Sequence, residues 1–472
     1  MIHLLGHILF TLLLGYYLIL NLQWYNYRLG RIILHHHAPW MHLLFFLLPL
    51  FAYFALREYV WIEDVVLLGA LYLWQRKLDK KLVFTARVKR FFLILFLAVL
   101  FFDVLCLAKF SCKVFSTILP LAAALLISAT IERFLFAIYK KEAKRKLEKI
   151  DPIIVAVTAS YGKTSIKNFI HQLTRESFKA YKTPRSVNTI AGILKDINEA
   201  LPSDTELYIA EAGARERGDI AQIAHFLEPH YAVVGKVGEQ HIEYFKSLEN
   251  IILTKLEILQ SSRLKKAFIW DGIEIKDRKE FVKFGSNIKN IKESLEGIEF
   301  DLELPDGTYH FKAPILGGFN ALNITAAILV ARELGIDMET IQKRVARLQS
   351  VEHRLSKIEA GGKLIIDDSF NGNLEGMKAS YRLVAQYPGR KVIVTPGILE
   401  STQEANEELA RVIDEVFDLV IITGKSNKDI LQKVITKPVI LLEDKSKLQE
   451  LLAQKTKSGD LILFSNDAPG YL

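Results

Sequence analysis

The sequence predicts an α-helical membrane region over residues 1–140, followed by two α/β domains. The central domain (150–350) would contain a phosphate loop and a mostly parallel sheet, and the C-terminal one (351–472) would be Rossmann-like. Three observations carry this. Long apolar runs crowd into the first 140 residues. From residue 150, strand-like runs alternate with amphipathic helical ones. The first of those strands, "PIIVAVTAS", ends in small residues and is followed by Gly162, Lys163, Thr164 and Ser165. A chain of 472 residues exceeds what one core organises, since single cores stop growing at about 250 to 300 residues.

The apolar runs are "LLGHILFTLLLGYYLILNLQW" (4–24), "WMHLLFFLLPLFAYFAL" (40–56), "YVWIEDVVLLGALYLW" (59–74), "FFLILFLAVLFFDVLCLAKF" (91–110) and "VFSTILPLAAALLISATIERFLF" (114–136). Each approaches the roughly 20 residues needed to cross a bilayer, although the third is short and carries Glu63 and Asp64. About five spans are therefore expected. Arg28 and Arg31 follow the first, Arg76, Lys77, Lys80, Lys81, Arg87, Lys89 and Arg90 follow the third, and "KKEAKRK" (140–146) follows the fifth. With five spans every basic cluster falls on one side, which the positive-inside rule makes the cytoplasm. The amino terminus then faces outward and the α/β domains inward. The first run is too long for a signal-peptide core and no small-residue cleavage site follows it, so it is expected to stay.

The net charge of +8 would raise nucleic acid as a partner, but much of the excess lies in loops where lysine and arginine meet anionic lipid. A lipid bilayer is expected, and nucleic acid is not. Cys106 and Cys112 both lie in or beside the apolar part, which leaves no disulfide framework and no cysteine metal site. The histidines at 35–37 sit in an interfacial loop without a nearby carboxylate, and no H-E-x-x-H or G-x-S-x-G pattern occurs.

Beyond residue 150, "PIIVAVTAS", "ELYIAEAGA", "HYAVVGKVG" and "KAFIWDG" read as strands. "KTSIKNFIHQLTRES", "RGDIAQIAHFLE" and "SLENIILTKLEILQSS" between them have helical spacing. Residues 281–316 read as shorter strands around "PDGT", and "FNALNITAAILVARELG" returns to helix. A second alternation follows: "GGKLIIDDSFNGN", a helix near 374–386, "RKVIVTPGI", a helix near 403–416, then "FDLVIITG", "KPVILLE" and "GDLILFS". The order describes parallel sheets with crossover helices, divided near residue 350.

In "VTASYGKTS" a strand ends, small residues let backbone N–H groups face an anion, and a helix begins at Lys163. A helix N-terminus and a lysine suit a triphosphate, and the hydroxyl of Thr164 can ligate magnesium. Glu211 ends a strand at the carboxyl edge, where open α/β sheets keep their ligands. Asn320 and Asn323 lie three apart and share a helix face.

The loop resembles that of the Mur ligase family, T-G-x-x-G-K-T-[ST], with Ala159 in place of the first glycine. "TPRSVNTIAGI" (183–193), "YIAEAGARERGDIAQI", "GEQHIEYFKSLENIILTKLEI", "GGFNALNITAA", the arginine of "EHR" and "DDSFNGN" resemble further segments of that family. They are closest to the branch that adds D-alanyl-D-alanine to a muramoyl tripeptide nucleotide. The resemblance covers about residues 151–472.

It implies an ATP-binding central domain and an ATP- and Mg2+-dependent peptide ligase of cell-wall precursor synthesis. The substrates would be UDP-N-acetylmuramoyl-tripeptide and D-alanyl-D-alanine, and the place the cytoplasmic face of the bacterial inner membrane. Membrane enzymes of wall synthesis would be partners. It further implies Lys163, Glu211, His241 and Lys255 as catalytic, with Thr164, Glu211, His241 and Lys255, the last if carbamylated, on the metal. Ser160, Gly162, Lys163, Thr164, Ser165, Asn320, Arg354 and Asp368 would meet ATP, and Thr183, Asn188, Asn371 and Asn373 the other substrates. Phe319 stands where the family usually has histidine, and apolar runs stand where these enzymes normally carry a soluble domain for the UDP end. Another amide ligase of the family, acting on a lipid-linked wall precursor or a folate-like acceptor, and a non-catalytic nucleotide-binding membrane scaffold are the alternatives.

Overall fold

Each apolar run of the first 140 residues forms a helix in the computed structural model, which describes residues 2–25, 27, 30, 32, 38–55, 60–78, 81–108, 115–238, 245–370, 372–399, 401–424 and 426–466. The chain divides into two units, Met1–Lys141 and Glu142–Leu472. The first contains α1 (Ile2–Trp24), α2 (Trp40–Ala55, with a π-helical stretch at Leu43–Leu47), α3 (Val60–Lys77), α4 (Ala86–Ala108) and most of α5 (Phe115–Ile150). Phe10, Leu14, Tyr17, Leu71, Trp74, Phe91, Leu95 and Val99 form its interior. Phe51, Val65, Leu126 and Phe134 point outward and are largely exposed, a distribution that suits an apolar surrounding rather than water. Among the described residues, two helices are long and apolar enough to cross a membrane, Leu4–Trp24 and Thr117–Ile150. Of the other expected spans, α2 is apolar but shorter, α3 carries Glu63 and Asp64, and α4 begins with Arg87, Lys89 and Arg90.

The second unit opens on a six-stranded, wholly parallel sheet in the order β2-β3-β1-β4-β5-β6. Its strands are β1 (Ile153–Thr158), β2 (Ala180–Lys182), β3 (Leu207–Glu211), β4 (Tyr231–Val234), β5 (Lys266–Trp270) and β6 (Phe281–Phe284). The crossovers carry α6 (Lys163–Thr174), α7 (Ile190–Glu199), α8 (Asp219–Leu227) and α9 (Leu248–Leu256). The central strands are buried on both faces and read as unbroken apolar runs for that reason. β1 lies between β3 and β4, and the connection leaving β1 runs to one side, to β2, whereas that leaving β4 runs to the other, to β5. The carboxyl end of β1 is the topological switch point, where sheets of this kind open a ligand crevice.

A three-stranded antiparallel sheet follows, β7 (Ile288–Ser294), β8 (Gly297–Leu304) and β9 (Gly307–Ala313), with "PDGT" turning between the last two. Then α10 (Asn320–Glu333) packs on α6, with buried residues on nearly every side, and α11 (Met338–Val345) follows. Leu348 still packs in this core, whereas Leu355 belongs to the next.

The C-terminal sheet runs β10-β11-β15-β12-β13-β14 and is parallel except for its edge strand β10. Its strands are β10 (Ser356–Ala360), β11 (Lys363–Asp368), β12 (Lys391–Thr395), β13 (Leu419–Thr423), β14 (Val439–Leu442) and β15 (Leu461–Ser465). Helices α12 (Leu374–Ala385), α13 (Gln403–Val416), α14 (Lys428–Val434) and α15 (Leu448–Lys455) complete the domain.

Candidate active site

The phosphate loop is built between β1 and α6. Gly162 precedes the helix with φ +83°, a left-handed conformation that glycine adopts without strain. A Cβ there would also lie 2.3 Å from Asn323 Oδ1, because α10 abuts the loop. Ala159, which replaces the family's first glycine, is fully buried. Its methyl faces Gly235, where a Cβ would lie 3.1 Å away. The missing side chain at 235 makes room for the one at 159.

Ser160, expected to meet ATP, helps to hold the loop's own structure. Its hydroxyl donates to the Gly238 carbonyl at 3.0 Å, and the N–H groups of Ser160 and Tyr161 both go to the Lys236 carbonyl. The anion-facing donors are therefore the first-turn N–H groups of α6 around Lys163, Thr164 and Ser165, which have no intrahelical acceptor. Lys163 Nζ folds over the loop to the Ala159 and Ser160 carbonyls at 2.8 and 3.0 Å.

Glu211, at the end of β3, sits beside β1 in register with Val157. It is 1% exposed. Its Oε2 accepts the Thr164 hydroxyl at 3.0 Å and lies 3.2 Å from Lys167 Nζ, and its Oε1 accepts the Asn188 amide at 3.1 Å. Thr183 accepts the Glu211 backbone N–H at 3.3 Å and is itself fully buried. Thr183 and Asn188, expected to meet substrate, lie here beside the carboxylate: β2 runs beside β3, so the chain leaving β2 carries both side chains to Glu211.

Lys167 was not foreseen as functional. A lysine on an amphipathic helix reads as solvated, and the one available signal is its position four residues after Lys163, on the same helix face.

The surroundings are strongly cationic. Burial lowers the Lys163 ammonium to about 8, with Glu211 opposing the shift and Arg354 adding to it. Burial likewise lowers Lys255 to about 7; Lys163 adds to the shift, and Glu211 and Glu257 oppose it. Arg354 is pushed down by burial and held up by Asp368 and Glu211. These interactions bring Lys163, Glu211, Lys255, Arg354 and Asp368 into one electrostatic neighbourhood, drawn from both α/β domains.

The remaining candidates are placed as follows. Asp368 is buried and its Oδ2 accepts the Ser380 hydroxyl at 2.6 Å. Its neighbour Asp367 is structural, gripping His353 Nδ1 at 2.7 Å and the Ser369 N–H at 3.1 Å. Asn320, expected to meet ATP, donates its amide to the Leu316 carbonyl at 2.8 Å and accepts from Asn323 at 2.8 Å. Asn373, expected to meet one of the other substrates, caps α12 by accepting the Gly376 N–H at 2.8 Å, the role asparagine often takes just before a helix. His241 and Asn371 lie outside the described residues.

The donor set suits magnesium. The Thr164 hydroxyl and the Glu211 carboxylate are hard oxygen donors 3.0 Å apart. Magnesium is commonly held by one or two protein oxygens, with phosphate and water supplying the rest. Among the described residues no group of three or more His, Cys, Asp or Glu converges on a point.

A phosphate loop at the switch point of a parallel sheet, with an arginine reaching its charges from a second α/β domain, defines a nucleotide-binding enzyme that works across two domains. The profile for the Mur ligase middle domain matches residues 157–331, and that for the Mur ligase glutamate ligase domain matches 353–466. The chain belongs to the Mur ligase family.

It is 28% identical over 343 residues to the UDP-N-acetylmuramoyl-tripeptide--D-alanyl-D-alanine ligase of Bacillus subtilis, covering 68% of this chain and 74% of that one. To the Escherichia coli enzyme of the same name it is 27% identical, covering 55% of this chain and 60% of that one, less than two thirds of its length. The crystal structure of MurF ligase from Thermotoga maritima in complex with ADP superposes with a TM-score of 0.60 at 28% identity, covering 70% of this chain and 80% of that one.

Proposed function

We propose that this protein joins D-alanyl-D-alanine to UDP-N-acetylmuramoyl-tripeptide in an ATP-driven reaction. The observation that carries the proposal is the cluster of Lys163, Lys167, Lys255 and Arg354 around the Glu211 carboxylate beside a phosphate loop. Cations whose charge is disfavoured by burial and mutual repulsion are restored by a polyanion, and ATP is one. The relatives named above supply the acceptor and the dipeptide.

The tripeptide carboxylate would attack the γ-phosphorus, forming an acyl phosphate as the bond to ADP breaks. The dipeptide amine would then attack the acyl carbon, giving the amide as phosphate leaves and the amine loses a proton. Lys163 and the N-terminus of α6 hold the phosphates and offset the charge of the transferring group, and Arg354 approaches them from the second domain. Glu211 and the Thr164 hydroxyl would hold magnesium, which when bound would supply positive charge to offset that of the phosphates. Thr183 and Asn188 keep the carboxylate aimed.

Lys255 is read as the site of a carbamate. Carbon dioxide adds only to a neutral amine, and with the ammonium lowered to about 7 the neutral fraction grows as pH rises through that value. A 13C-carbamate resonance should therefore appear with 13CO2, strengthen as pH rises through about 7, and be missing in Lys255→Arg. A signal unchanged by that substitution would remove Lys255 from the metal site.

Residues 1–140 are read as about five transmembrane helices that hold the α/β domains at the cytoplasmic face of the bacterial inner membrane, near the membrane enzymes of wall synthesis. The outward-facing apolar side chains of α2, α3 and α5 support this reading, as do the basic clusters expected on one side. The test is phosphate release by the detergent-solubilised protein with ATP, Mg2+ and UDP-N-acetylmuramoyl-tripeptide, with and without D-alanyl-D-alanine. Release that needs the dipeptide and yields the pentapeptide nucleotide is expected. No release with both substrates present would overturn the ligase, and extraction of the protein from membranes by alkaline carbonate would overturn the spans.

A further inference from the structure

Lys167 stands apart from the other cations of the site. It is fully buried, its Nζ lies 3.2 Å from Glu211 Oε2, and it donates to the Arg185 carbonyl. The same Oε2 accepts the Thr164 hydroxyl at 3.0 Å. The oxygen placed to meet a metal is therefore already paired with an ammonium that has no path to solvent.

A lysine so enclosed cannot swing aside as a surface lysine would. It neutralises a carboxylate whose burial without a partner would be strongly unfavourable. With Lys163 and Arg354 also near, a bare dication approaching this oxygen meets ammonium and guanidinium charge first. Nucleotide phosphates offset that charge.

We infer that Lys167 is a positioning residue that acts as the internal counter-ion of Glu211 and makes metal binding conditional on the nucleotide. The inference rests on the reading of Glu211 and Thr164 as metal donors. It adds an order to the site: metal enters with the phosphates or after them, and the carboxylate is kept paired until then. Asn188 on Oε1 and Thr183 on the backbone fix the carboxylate's direction, so Lys167 supplies charge more than aim.

The experiment measures two affinities of the full-length protein separately: Mn2+ alone, from the loss of its free electron paramagnetic resonance signal, and ADP alone in the presence of a chelator. Wild type is expected to bind Mn2+ weakly until ADP is added. Lys167→Met should bind Mn2+ alone at least about tenfold more tightly and ADP alone more weakly by a similar factor, as removal of one nearby positive charge requires. Lys167→Arg should keep the wild-type pattern. A merely structural lysine would weaken both together.

Parallel losses in Lys167→Met, no change in either affinity, or wild-type protein that holds Mn2+ alone as tightly as with ADP would each overturn the inference. The wild-type comparison decides even if Lys167→Met does not fold. Opposite shifts in a protein that fails to ligate would retain the counter-ion and remove the ligase, so the two failures are distinguishable.

Discussion

Glu211→Gln should abolish ligation and destabilise the protein at the same time. The amide keeps the shape of the side chain but removes the one negative charge shared by Thr164, Asn188 and Lys167. Activity should fall by about 10³-fold or more, since a charge aimed at the reacting phosphates acts in a buried site where no water replaces it. Stability should fall by roughly 3–5 kcal/mol, the usual cost of leaving one member of a buried ion pair unpaired. A Glu211→Gln, Lys167→Met double variant separates the two effects. With neither charge left to bury, it should melt near wild type while remaining inactive. Denaturation and phosphate release measured on the same preparations check this. A double variant as unstable as Glu211→Gln would mean that Lys167 is not what the substitution leaves exposed.

Lys163→Ala should lower kcat/KM for ATP by on the order of 10³-fold, with little effect on folding. Among the described residues its ammonium bonds to the carbonyls of Ala159 and Ser160, and burial already disfavours its charge. Its removal relieves the ligand-free protein and penalises the phosphate-bound one. Lys163→Arg should not recover the loss, because a planar fork does not replace a compact ammonium at a site bounded by backbone carbonyls. Steady-state kinetics with ATP varied, beside a melting curve, checks both halves. A folded Lys163→Ala protein with nearly unchanged turnover would remove the phosphate loop from the chemistry.

The strands were readable because a parallel sheet covered on both faces demands continuous apolar runs, and β1, β3, β4 and β5 supply them. The short β2 and the helix α7 were not separated in the sequence. Residues 180–199 mix tyrosine, proline, serine and asparagine, and their apolar periodicity becomes clear only after Thr189, whose hydroxyl caps α7. In the site, residue types were more legible than their partners. Glu211 and Lys163 announce themselves by position at a strand end and a helix start. Whether an asparagine or threonine faces a ligand or another side chain depends on contacts across the sheet, which spacing does not encode. Thr183, Asn188 and Asn373 read as substrate residues in the sequence, and each also holds a neighbouring group of the protein. Lys167 is the converse case, a charge whose residue type argues for solvent while its neighbours enclose it.

The pairing of Ala159 with Gly235 has a consequence for how such loops can drift. A Cβ at 235 would meet Ile166 at 2.9 Å and Ala159 at 3.1 Å, so the methyl at 159 is accommodated because position 235 has no side chain. The two positions are therefore coupled in this chain, and a larger residue at either would be felt at the other. Gly162 has no such latitude, because its backbone handedness and the Asn323 side chain both exclude a Cβ. The loop therefore has one position whose change a distant residue can absorb and one whose change nothing nearby can, and tolerance to mutation should divide along that line.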